Sequence, residues 1–193
     1  MTSLLTNLRS AVITGFVFAL IFIFFLAQGS FDQTAFNMWL LRWLHVISGI
    51  MWVGILYYFN FIQIPNMVNI PDDQKPAISK VIAPAALWWF RWGSVATVVT
   101  GLILAHLNGY LHDAMTFSNG FWPIGIGMWL AIIMFLNVWI VIWPNQKKAL
   151  GIVEVDAETK AKAARKAMLF SRKNTILSIP MLVAMTVAQN SFS

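Results

Sequence analysis

Residues 42–54 read R-W-L-H-V-I-S-G-I-M-W-V-G and lie inside a mostly apolar run over residues 37–63. At the helical rise of about 1.5 Å per residue, that run is long enough to cross the roughly 30 Å of a bilayer's hydrocarbon core. Arg42, His45, Gly49 and Trp52 recur at the spacing of one helical stripe, so a single helix face carries an arginine and a histidine. Ionisable groups are costly in hydrocarbon and turn away from lipid, toward another helix or a cavity. The stretch therefore predicts both a membrane span and a polar feature within a helix bundle.

The whole composition agrees. Of 193 residues, 59% are hydrophobic and only 10% charged, against roughly 25% charged in soluble domains. Five runs read as spans, over about residues 11–28, 37–63, 86–107, 123–143 and 175–189. The fold class is an all-α integral membrane protein, a bundle of about five transmembrane helices, with residues 1–193 as one transmembrane domain. The first run exceeds the 7–15-residue apolar core usual for a signal peptide, which favours a retained span. Residues 65–76, P-N-M-V-N-I-P-D-D-Q-K-P, are dense in helix breakers and read as a loop, followed by a short surface helix around 77–82.

Charge placement orients the bundle. Arg9, then Lys75 and Lys80, then the polar segment 146–174 alternate with two connections free of lysine and arginine, which places the N-terminus in the cytoplasm. Within that segment, residues 156–173 read as a basic amphipathic helix, capped by Asp156 and lying on an anionic cytoplasmic leaflet. The net charge of +6 is thus a membrane-surface feature, and nucleic acid is not an expected partner. Trp88, Trp89, Arg91 and Trp92 resemble an interfacial belt, and Ser94, Thr97 and Gly101 form a small-residue stripe open to close helix approach.

The absence of cysteine excludes disulfides, thiolate metal sites and the C-x-x-C-H attachment of c-type haem. A b-type haem needs no such bond. In this topology Arg42 and His45 lie in the outer half of the second span, and the third span delivers His106 toward the same face. His45 and His106 are therefore the candidate haem-iron ligands, Arg42 a propionate partner, and Gly49 and Trp52 the wall a macrocycle would lie against. The two histidines differ in expected depth, since His45 lies about 9 Å in from Trp39 by helix rise while His106 is near its helix end. The alternative is that His45 bonds another helix, His106 is interfacial and His112 belongs to a loop. Asn60, Gln63 and Asn137 read as interhelical hydrogen-bonding groups, or as the lining of a quinone or proton path. No nucleophile with its base, phosphate loop or paired-carboxylate site is present, so no catalytic residue is assigned.

The motif of residues 42–54 resembles the R-W-x-H-V-x-x-G-x-x-W-x-G of the membrane domain of bacterial urate oxidases, the urate oxidase N-terminal family. Trp89-Phe90-Arg91-Trp92 is similar to its second motif, residues 137–148 to its N-V-x-x-V-I-x-P-N-Q-K-K, and residues 171–185 to its closing helix. The resemblance spreads over most of the chain after about Met38. It implies a multi-pass protein of the bacterial cytoplasmic membrane, linked to oxidative purine chemistry, with a c-type cytochrome carrying electrons onward. The chain departs from the pattern in carrying no cytochrome domain, in Gly93 where an acidic residue is common, and in Arg172, Lys173 and Gln189 where histidines are expected. Urate oxidation would then need a separate cytochrome to complete it. The expected function is a membrane redox protein holding haem b and passing electrons to a separate cytochrome or oxidase. The alternative is a cofactor-free accessory subunit of a larger respiratory or photosynthetic membrane complex.

Overall fold

The computed structural model describes residues 5–27 and 32–188, and these form helices and turns with no strand among them. The helices of the described residues are α1 (Leu8–Leu26), α2 (Gln33–Asn66), α3 (Lys75–Leu107), α4 (Leu111–Met115), α5 (Trp122–Ala149) and α6 (Ala157–Val187). Four of them, α1, α2, α3 and α5, are long and apolar enough to cross a membrane. The chain divides into two compact units, Met1–Asn37 and Met38–Ser193. In the first, α1 is capped by Asn7, whose side-chain oxygen accepts from the N–H groups of Arg9 and Ser10, and none of its residues is buried.

Local chemistry sets the helix ends of the second unit. The Asp156 carboxylate accepts from the N–H and hydroxyl of Thr159, which caps α6 and holds the carboxyl below its usual range. Gly109 and Gly151, at φ 77° and 73°, end α3 and α5. In both turns the glycine N–H bonds three residues back and the next N–H five back, the paired bonds of a Schellman cap.

Three prolines near helix ends do not end the helices. Pro65, Pro84 and Pro144 each follow by two residues a wide π turn, over Tyr58–Gln63, Ile78–Ile82 and Asn137–Ile142 respectively. A proline lacks an N–H and crowds the carbonyl four residues back. A widened turn ahead of it lets the freed carbonyls find new partners while the helix continues. For this reason α2 runs on to Asn66, α3 begins at Lys75 rather than near residue 86, and α5 passes Pro144 to Ala149. The surface helix expected at 77–82 is part of α3.

The C-terminal half departs further from expectation. The amphipathic helix and the final span expected around residues 156–173 and 175–189 are one helix, α6, with residue 189 outside the described residues. Nothing between Lys173 and Thr175 breaks the backbone, so the change from basic to apolar side chains does not bend the chain. At 31 residues α6 is about 46 Å long by helix rise. It runs antiparallel to α5: Asn174 lies at the level of Met134 and Asn137, and Met185 fills the space left by Gly127. Its apolar turns therefore lie beside the apolar turns of α5, and its basic turns beside the end of α5 around Lys147 and Lys148.

The core of this unit is built on α2, α3, α5 and α6 around Trp52, Leu56, Phe90, Met134 and Val138. Gly93 lets α3 close on α2: a Cβ there would sit 3.4 Å from the backbone N of Trp52. A side chain at this position would start in close contact with that backbone. On α5 and α6, fully buried Asn174 donates to the Met134 carbonyl and accepts from Asn137, both at 2.9 Å. Replacing Asn174 with alanine should lower stability by about 1–2 kcal/mol, as for interhelical hydrogen bonds in membranes. Exposed Lys173→Ala should stay within about 0.5 kcal/mol of wild type. Equal losses in a detergent unfolding titration would contradict this role.

Candidate functional site

A cavity of about 620 Å³ lies within the second unit, lined from α2, α3, α5, α6 and the turn after α3. Its wall on α2 is the stripe that the sequence singles out: Arg42, His45, Gly49 and Trp52 all line it. Most of the remaining surface is aliphatic, as in sites that take a largely apolar ligand and orient it with few polar groups.

His45 is the most constrained of these groups. Its Nδ1 lies 2.9 Å from the Thr97 carbonyl oxygen, with the Thr100 hydroxyl at 3.4 Å. A carbonyl only accepts, so Nδ1 carries the proton and neutral His45 keeps the lone pair on Nε2. The ring lies on Gly101, where a Cβ would come within 2.8 Å of Cε1 and 3.0 Å of Nδ1. The small-residue stripe of α3 thus serves this side chain, with Thr97 orienting the ring and Gly101 making room for it. A histidine held through one nitrogen by a backbone carbonyl, with the other left as a donor, is the usual arrangement of a metal-ligating imidazole.

Around it stand groups that sequence patterns did not reveal. Tyr110 enters from the turn after α3 and stacks on Phe121, with ring centroids 5.3 Å apart. Burial pushes its phenol pKa up, and the positive charge of Arg42 opposes that shift. Met128, Met181 and Met185 add three thioethers to the lining. In an apolar helix a methionine facing a cavity has the same sequence signature as one facing the core. Trp52 is fully buried, and its indole N–H has no acceptor among the described residues.

The structure does not bring His106 to this site. It is exposed, while Gly101, Leu104 and Ala105 supply the cavity-facing surface of that helix. One residue beyond Ala105 on a helix is about 100° around the axis, so lying toward the same membrane face does not turn His106 to the cavity. His112 is also exposed and outside the lining. No cluster of three metal-ligating His, Cys, Asp or Glu side chains occurs among the described residues.

The two glycines of the site should respond differently to substitution. Gly101→Ala drives a methyl group into the His45 ring and should cost about 1–3 kcal/mol. Gly49→Ala meets only the Thr97 methyl at 3.8 Å and should be neutral or stabilising by up to about 1 kcal/mol through helix propensity. Thermal unfolding in detergent measures both, and an unaffected Gly101→Ala would contradict the packing of the ring.

Residues 111–192 match the urate oxidase N-terminal family model. No curated protein and no solved structure matches the chain. The matched stretch takes in α4, α5 and α6, with the motifs at 137–148 and 171–185, whereas the stripe of residues 42–54 and Trp89 to Trp92 precede it. Arg172 and Lys173, where the resemblance leads one to expect histidines, are exposed on α6, and Gln189 lies outside the described residues. The stretch that matches this family model, residues 111–192, supplies Met128, Met181 and Met185 to the cavity.

Proposed function

We propose that this chain is a redox protein of the bacterial cytoplasmic membrane that crosses the bilayer five times, with its N-terminus in the cytoplasm. The lysine-rich connections support that orientation, and the antiparallel register of α6 on α5 supports a fifth crossing beside the fourth. The cavity then opens toward the outer half of the bundle, where the connection over residues 108–122 carries no lysine or arginine.

In this reading the cavity holds a b-type haem, and the observation that carries it is the fixed His45 ring with Nε2 left as a lone-pair donor. The residues present fit such a group in four respects. His45 would supply a ligand to the iron and Arg42 a cation for a propionate. Gly49 leaves the wall between His45 and Trp52 low, and the indole N–H of Trp52 lacks a partner among the described residues that a bound molecule would provide. Other lone-pair donors suited to haem iron on the lining include the sulfurs of Met128, Met181 and Met185, softer than the paired histidines expected from the sequence, and the phenol oxygens of Tyr57 and Tyr110. A haem there would supply a one-electron centre, and its electrons would leave to a separate cytochrome or oxidase. A quinone is the other occupant for which Arg42 and Tyr110 offer donors.

The His45–Thr97 hydrogen bond also favours a second reading, since it satisfies one ring nitrogen without any cofactor. The chain would then be an accessory subunit of a larger membrane complex. The absorption spectrum of protein purified from cells supplied with haem separates the two. The haem reading expects a Soret band that His45→Ala abolishes and His106→Ala leaves unchanged. A wild-type spectrum without the band would overturn it.

A further inference from the structure

Below the cavity, toward the lysine-rich face, the bundle interior carries polar groups that the protein itself does not satisfy. The Ser178 hydroxyl donates to the Thr175 carbonyl, so the Tyr57 hydroxyl, on the cavity wall, donates to Ser178 Oγ at 2.9 Å. One turn further along α2, buried Asn60 uses its amide N–H groups on the Leu56 carbonyl and Ser171 Oγ, leaving Oδ1 without a partner. Next along α2, the buried Oε1 of Gln63 also has none. Neighbouring helices add Arg91 Nη1, Trp139 Nε1 and Gln146 Oε1, all buried and unpaired. The guanidinium of Arg91 lies over the Trp143 ring, 3.3 Å from its centroid.

These five atoms belong to the half of the bundle that holds the three π turns. Asn60 and Gln63 lie in one of them and Trp139 in another. An unpaired buried polar group is costly, and natural interiors meet that cost with ordered water. The mixture identifies the occupant. Three atoms accept and two donate, whereas an anion would satisfy only the donors and a cation only the acceptors. Water does both.

We propose that the lysine-rich half of the bundle is a hydrated tract, running from that face past Gln63, Asn60 and Ser171 to Tyr57 and Ser178 at the cavity floor. It gives the cavity access to water and protons from the cytoplasmic side. A proton entering at the hydrated amides is passed along water molecules to Ser178 Oγ; the Ser178 hydroxyl turns from the Thr175 carbonyl to give its own proton to the Tyr57 oxygen, and the Tyr57 hydroxyl turns to release its proton into the cavity, so each oxygen gives up one proton as it receives another. No carboxylate or histidine is required along the way.

The chain has no cysteine, so single thiols can be read without background. Ser171→Cys and Ser178→Cys are one-atom changes at buried positions of α6, while Ile176→Cys and Ile179→Cys place thiols at similar depth on its exposed apolar side. In oriented membrane vesicles, water-sized Ag⁺ is added at the lysine-rich face, and remaining thiols are alkylated after denaturation. The tract predicts that Ag⁺ blocks Ser171→Cys and Ser178→Cys at least about tenfold faster than the two controls, because thiolates form only where water reaches. Equal rates at all four positions, or blocking of Ser171→Cys only from the opposite face, would overturn it. The readout involves no haem, so it fails or succeeds independently of the spectrum.

Discussion

The bond from His45 Nδ1 to the Thr97 carbonyl fixes how the two halves of the helix pair α2 and α3 are used. A polar ring placed among apolar side chains must find a partner, and here it finds one on the backbone of the neighbouring helix. That choice requires α3 to carry Gly101 under the ring and Gly93 under the Trp52 backbone, so that the helices approach closely along the whole seam. It also requires the second ring nitrogen to look elsewhere. Because α5 and α6 pack beside the seam without filling it, the space left in front of His45 is the cavity.

The polar groups of the interior then separate by depth. At the outer end they line an apolar-walled cavity: one imidazole, one guanidinium, two phenols, one indole, two threonines and the thioethers. In the lysine-rich half they are mostly uncharged and collected near the wide turns that precede Pro65 and Pro144. The same widened turns let long helices pass their prolines and place amides where the neighbouring helices do not cover every polar atom. Asn137, also in a wide turn, is the exception that shows the alternative, since Asn174 from α6 meets it directly.

The sequence made the helical class, the apolar runs and the His45 stripe legible, because hydropathy and a 3.6-residue period are local properties. Three things were not local. Pro65, Pro84 and Pro144 read as stops, yet each helix runs on through them, which depends on a backbone adjustment that side-chain pattern does not encode. The basic and apolar halves of α6 read as separate elements because composition changes at Lys173, although no residue there breaks a helix. His106 was paired with His45 because both fall toward the same membrane face, while its exposure is decided by which face of α3 meets α2, and that is set by Thr97, Gly101 and Ala105. Tyr110 and the three cavity methionines needed the tertiary arrangement, since a turn and two other helices bring them to the site.

The ring of His45 is the point where the seam, the cavity and the redox reading meet, and its protonation pattern is directly observable. Nitrogen-15 NMR of histidine-labelled protein without added haem contains three side chains, His45, His106 and His112, assigned by single replacement. The account predicts that His45 is a neutral imidazole protonated at Nδ1, with Nε2 bare. A His45 protonated at Nε2, or averaging between the two tautomers, would contradict the Thr97 contact and the cavity chemistry built on it.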